Sequence, residues 1–154
     1  MRNEQGFSLV ELLIVVAIIA IIAAIAVPSL LTSREAANEA SAIQGCRTIG
    51  SAEIAYSATN NQNYADLATL VANNFIDLRF TAAGGFNGYT YAAGAAGNFA
   101  QNLPTVFSYQ AQPLANLGRF TYGIGPDQVV RWEGVVAPAQ LPQNTVVGDP
   151  IGKN

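Results

Sequence analysis

The chain has no histidine, a single cysteine and one tryptophan, and only 11% of its 154 residues are charged. Without histidine, a Ser-His-Asp triad cannot be assembled. One thiol, Cys46, cannot close an intrachain disulfide, and metal sites built from His and Cys clusters are excluded. The seven basic residues never cluster, and ten acidic ones outnumber them to give a net charge of −3. A nucleic-acid surface needs a Lys/Arg footprint, so none is expected. The carboxylates are scattered without paired spacing. Glu35 and Glu39 stand four apart in a helical pattern and read as a solvated face. Gly123-x-Gly125 lacks the strand–turn–helix context of a phosphate loop. These absences point away from an enzyme and call for no cofactor or metal.

What the chain has in abundance is apolar sequence near its start. Residues 7–31 read FSLVELLIVVAIIAIIAAIAVPSLL, and 12–27 are sixteen uninterrupted apolar residues. A membrane-spanning helix needs about 20, so spanning is expected. Arg2 before the run favours a cytoplasmic N-terminus. A lone acid, Glu11, interrupts the run; at the centre of a membrane helix such a residue costs about 2.5–3.5 kcal/mol on insertion scales, which makes it a functional candidate by default. Phe7 and Glu11 are one helical turn apart on one face. An ordinary secretory signal is the competing interpretation, with Ala24-Ile25-Ala26 as its cleavage site. A plain membrane anchor gives Glu11 no role.

Beyond Pro28 the chain becomes rich in Ala and charge with no linker. In residues 32–58, Ile43, Cys46, Ile49/Gly50 and Ile54 recur at steps of three and four, the pattern of an amphipathic helix facing a core. Joined to the apolar run, this predicts one helix over about 7–58, kinked at Pro28, whose ring removes a backbone hydrogen bond. Gly45 and Gly50 each lower helix propensity by about 1 kcal/mol, and close packing is one compensation. Cys46 reads as a small buried apolar residue.

Residues 60–63, NNQN, end the long helix, and a short helix follows at 65–73. Strands are expected at 88–93, 105–112, 119–124 and 129–133. Alternation places Phe107, Tyr109 and Ala111 on one face, as it does Phe120, Tyr122 and Ile124, and likewise Val130 and Trp132. Gly125-Pro126-Asp127-Gln128 suits a tight turn. The result is an α+β fold: a long helix packed on a four-stranded antiparallel sheet, apolar on one face. Residues 135–154, rich in proline, are expected to lie irregularly over the sheet edge.

Gly6-Phe7-Ser8-Leu9-Val10-Glu11-Leu12-Leu13 resembles the processing motif of type IV prepilins and of type II secretion pseudopilins. The resemblance implies a leader, residues 1–6, of the short, type IVa kind. It also implies cleavage after Gly6 by a prepilin peptidase and N-methyltransferase, and N-methylation of Phe7. Glu11 and Phe7 would then be the assembly residues and Pro28 the helix-kinking proline. With the leader gone, the Phe7 amine is a cation, and Glu11 is the anion within the apolar layer. A neighbouring subunit's amine could neutralise it, as could the chain's own. The implied organisation is leader 1–6, transmembrane and assembly helix 7–31, and a periplasmic or extracellular domain 32–154 with the ladle-shaped pilin fold. The implied partners are further copies of the chain in a homopolymer, the peptidase and an inner-membrane assembly platform. The implied location is the bacterial inner membrane before assembly and an extracellular fibre after it, with adhesion, motility or DNA uptake as its uses. The alternative is a type II secretion pseudopilin in a periplasmic pseudopilus, which the missing C-terminal disulfide favours. Some pseudopilins bind calcium in a C-terminal loop, for which Asp127 or Asp149 could supply ligands. Electron conduction along stacked rings is a further idea, set against core packing as the simpler account of the aromatics.

Overall fold

The computed structural model describes residues 7–94, 103–134 and 149–151. The chain divides into two compact units, Met1–Arg34 and Glu35–Asn154. One helix, α1, runs over Leu9–Thr59 and is assigned without a break through Pro28. It starts two residues later than the sequence predicts, with Phe7 just ahead of it and the Ser8 carbonyl accepting from the Leu12 N–H.

In the first unit, every described side chain from Phe7 to Arg34 is exposed. Hydroxyls just past Pro28 fold back on the helix. Thr32 donates to the Pro28 carbonyl at 3.1 Å and Ser33 to that of Ser29 at 2.9 Å, as such side chains do where they face no better partner.

In the second unit, α1 contributes Glu39, Ala42, Gly45, Cys46, Ile49, Gly50, Ala52 and Glu53 to the interior. The steps of three and four hold, but the stripe is turned from the one expected. Ile43 is half-buried and Ile54 is exposed. The reason is size. Ala, Gly and Cys let the helix approach the sheet closely, and larger side chains would hold it off. An ideal Cβ on Gly45 would overlap the Tyr91 hydroxyl, and one on Gly50 would fall 2.6 Å from Ile124 Cδ1. Cys46 is fully buried against the backbone of Ala111, and burial pushes its thiol up to about 12.

Asp66 caps α2 (Leu67–Ala72) by accepting from the Thr69 N–H at 2.7 Å, a standard use of Asp at that place. A 3₁₀ turn at Leu78–Thr81, capped by Asp77 and absent from the sequence reading, buries Phe80. The sheet runs β1 (Tyr89–Ala93), β2 (Tyr109–Pro113), β3 (Phe120–Ile124), β4 (Arg131–Gly134) and β5 (Asp149–Pro150), antiparallel and in sequence order. The four expected strands are all present, and a two-residue fifth adds to the edge where the tail was expected. Residues 135–148 lie outside the described ones. β2 begins at Tyr109, not 105, because residues 103–105 form a turn whose Pro104 carbonyl accepts from the Tyr64 N–H at 2.8 Å. That hydrogen bond ties the turn to the loop after α1.

Tyr91, Ala111 and Tyr122 are register partners across β1–β3 and point into the core. Phe107, Tyr109, Ile124 and Val130 complete that face. Trp132 is 37% exposed and leans edge-on against Phe120, 4.8 Å between ring centres. The Gly125 to Gln128 turn closes with the expected hydrogen bond at 3.0 Å.

Candidate functional site

The apolar segment is the first candidate. From Leu9 to Leu31 it is helical, and each of its side chains is exposed. Leaving so much apolar surface in water costs about 25 cal/mol per Å², and an exposed patch far beyond a few hundred Å² marks a membrane or protein interface. It is one helix long and apolar enough to cross a membrane.

Within it, Glu11 sits in the first turn of α1 and is exposed. The N-terminal end of a helix carries partial positive charge, which suits an acid there. Among the described residues no cation lies within ion-pairing distance of Glu11. Phe7 precedes the helix and is 79% exposed. Gly6 lies outside the described residues. Pro28 is inside α1, near the end of the uncovered stretch.

The second candidate is the set of polar pins that join α1 to the sheet. Glu39 belongs to it, against the expectation of a solvated face: it is buried. Its Oε1 accepts from both the N–H and Nε of Arg119 at 3.0 Å, and its Oε2 from Nη2 at 3.1 Å. Burial would raise this carboxyl, but the Arg119 hydrogen bonds and charge outweigh it and hold it below the ordinary range. One residue earlier, Asn38 donates to the Leu117 carbonyl at 2.9 Å, and Asn87 reaches Ser41 at 2.8 Å. Glu35, a turn before Glu39, is half-buried.

At the other end of the stripe Glu53 is fully buried. The Tyr109 hydroxyl lies 2.8 Å from its Oε1, and the Ala65 N–H donates to its Oε2 at 3.1 Å. Burial first, and the nearby Asp66 charge as well, raise this carboxyl above its usual range despite those bonds. Neither pin was found from the sequence. The signal was there: 39, 42, 46, 49 and 53 are spaced three and four apart, so both acids sit on the apolar stripe.

The remaining candidates have structural employment. Asp127 pairs with Arg131 at 2.6 Å and accepts from the Val129 N–H at 3.2 Å. The Asp149 backbone pairs with Trp132 in the sheet. Among the described residues, no group of three or more His, Cys, Asp or Glu is placed to hold a metal. Most of the aromatic pairs, such as Tyr64–Phe107 at 4.8 Å and Phe80–Tyr91 at 5.0 Å, meet edge-on, whereas Phe107 and Tyr109 stack with 6.1 Å between ring centres.

Residues 1–27 match the family described as the prokaryotic N-terminal methylation motif. Over 72 residues the chain is 35% identical to the type IV wide pilus major component PilA4 of Thermus thermophilus. That match covers 47% of this chain and 55% of the relative, so the chain spans about half the length of the curated relative it matches. Both similarities, with the α+β fold, support the type IV pilin family.

Proposed function

We propose that this chain is a prepilin, the precursor of a structural subunit of a type IV pilus. Residues 7–31 hold it in the inner membrane, the leader Met1–Gly6 is removed, and the exposed helix then packs with those of other copies. The observation that carries this reading is the exposed apolar helix from Leu9 to Leu31, which overlaps the matched methylation motif as far as residue 27 and bears a single acid.

The physics of assembly follows from Glu11. A carboxylate surrounded by lipid or apolar side chains is costly unless it is paired. Cleavage after Gly6 creates a cationic amine on Phe7, and N-methylation leaves that charge in place. A neighbour's Phe7 amine neutralises Glu11 when helices stack, so charge pairing sets register while apolar packing supplies the adhesion. The partners are then a prepilin peptidase and N-methyltransferase, an assembly platform and the chain itself. The role is mechanical and not enzymatic, and adhesion, motility or DNA uptake are uses to which such a fibre is put.

The second reading is a type II secretion pseudopilin in a short periplasmic assembly, favoured by a lone, buried Cys46 that leaves no C-terminal disulfide. The experiment is purification of surface fibres followed by N-terminal sequencing and mass analysis. Long extracellular fibres built of this chain and beginning at N-methylated Phe7 are expected. A mature chain beginning at Val27, or one that keeps Met1, overturns both readings.

A further inference from the structure

We infer that Glu53 carries a proton in the folded domain, its carboxylic acid donating to the Tyr109 hydroxyl oxygen while Tyr109 donates to the Ala65 carbonyl. The number of hydrogens available at the Tyr109 oxygen requires it. The Tyr109 oxygen lies 2.8 Å from Glu53 Oε1 and 2.5 Å from the Ala65 carbonyl oxygen. Both are hydrogen-bond distances for oxygen pairs. A carbonyl oxygen only accepts, an ionised carboxylate only accepts, and a phenol has one hydrogen to give. With Glu53 ionised, one of the two contacts is a pair of oxygens facing each other with no hydrogen between them. Glu53 and Tyr109 are both fully buried, so water does not relieve it. One added proton on Oε1 supplies the missing hydrogen. Oε2 continues to accept the Ala65 N–H at 3.1 Å.

The charged surroundings favour the same state. From the segment leading into α2, the group that faces Glu53 is Asp66, an anion. From β2 it is Tyr109, stacked beside the apolar Phe107. Within α1, the neighbours a turn away are Ile49, Gly50, Tyr56 and Ser57, none charged at neutral pH. Tyr56 packs edge-on with Phe75. Burial and the Asp66 charge raise the Glu53 carboxyl, in keeping with the hydrogen count.

The proton therefore acts as a latch. It closes a ring through three segments: the last turns of α1, the loop at 60–66 and strand β2. Its loss as pH rises leaves a buried anion against the Tyr109 oxygen and loosens the loop. This inference concerns the globular unit and does not depend on the proposed function.

The test uses the full chain in detergent micelles. In the infrared spectrum at neutral pH, wild type is expected to show the carbonyl band of a protonated carboxylic acid that E53Q lacks. Gln preserves the latch, because its amide N–H₂ donates to Tyr109 and its oxygen accepts from Ala65. The second readout is linkage. A carboxyl whose folded pKa is raised stabilises the fold at low pH and loses that contribution as pH rises from the ordinary glutamate range to the folded value. The folding constant of E53Q relative to wild type should thus climb about tenfold per pH unit across that window. Should E53Q not fold, ¹³C-carboxyl titration of wild type gives the same answer through one glutamate that keeps its proton well above the others. Absence of a protonated carboxyl at neutral pH, or a flat E53Q ratio, overturns the inference.

Discussion

Gly45 of α1 lies so close to Tyr91 of β1 that a β-carbon built on the glycine would overlap the tyrosine hydroxyl and fall 2.6 Å from Cζ of its ring. Helix and sheet meet here with no room for a methyl group. Gly45→Ala gains up to about 1 kcal/mol of helix propensity, but overpacking a filled core costs about 1–3 kcal/mol. Net destabilisation is expected, read as a lower midpoint in denaturant unfolding of the full chain in detergent. An unchanged or raised midpoint contradicts this close approach.

Tyr91 also buries a hydroxyl that finds no hydrogen-bond partner among the described residues. Its cost is that of an unsatisfied polar group, about 1–3 kcal/mol. Tyr91→Phe removes the hydroxyl and keeps the ring that packs on Phe80. The variant is expected to be as stable as wild type or up to about 1 kcal/mol more so, by the same assay, and to lessen the penalty of Gly45→Ala in the double variant.

Glu39 makes the domain acid-sensitive. Its folded carboxyl is held below the ordinary range by Arg119 in spite of burial. The sign follows: this contribution is present above the ordinary glutamate range and is lost as pH falls through the lowered folded value. Hydrogen bonds to a charged group are worth about 1.5–3 kcal/mol, and the half-exposed Arg119 side chain reduces that. Glu39→Gln should cost about 1–2 kcal/mol at neutral pH and flatten the acid limb of the stability profile. A parallel acid limb in variant and wild type would sink the assignment.

Asp66 caps a helix of six residues. Such a short element owes its existence to its cap and its buried leucines, not to propensity. Asp66→Ala should cost about 1 kcal/mol and speed hydrogen exchange at the Thr69 N–H, the cap's acceptor being gone.

For assembly, Glu11→Val should leave insertion into the membrane and removal of the leader intact while abolishing fibres. Electron microscopy of surface fractions, with a mass measurement on the membrane pool, checks both halves. Normal fibre yield from the valine variant would remove the charge-pairing account.

Much of this architecture was legible in the chain because two signals are strong and local. Period-two alternation located Tyr109 and Ala111, Tyr122 and Ile124, and Val130 on the correct face, since a strand's side-chain period leaves no other choice. The run from Leu9 to Val27 announced itself by length. Harder to see was where α1 would rotate. Ile43 and Ile54 look like core residues, yet Ala42 and Gly45 face the interior beside the expected Cys46 and Ile49, and at Gly45 the Tyr91 ring leaves no room for a larger side chain. The buried places of Glu39 and Glu53 are hard to read from the chain for a related reason. Their partners, Arg119 and Tyr109, lie 80 and 56 residues away, and local spacing carries no record of such distant contacts. The late start of β2 at Tyr109 was hidden likewise, since the turn before it is held by a hydrogen bond from Tyr64.

The unclothed stretch from Leu9 to Leu31 makes an isolated molecule a surfactant. Placed in plain water, copies should gather tail to tail into micelle-like clusters above some threshold concentration, with their folded parts facing outward. Aqueous samples of the intact chain are therefore mixtures whose composition shifts with dilution, and a single-species preparation needs amphiphile molecules to occupy that tail.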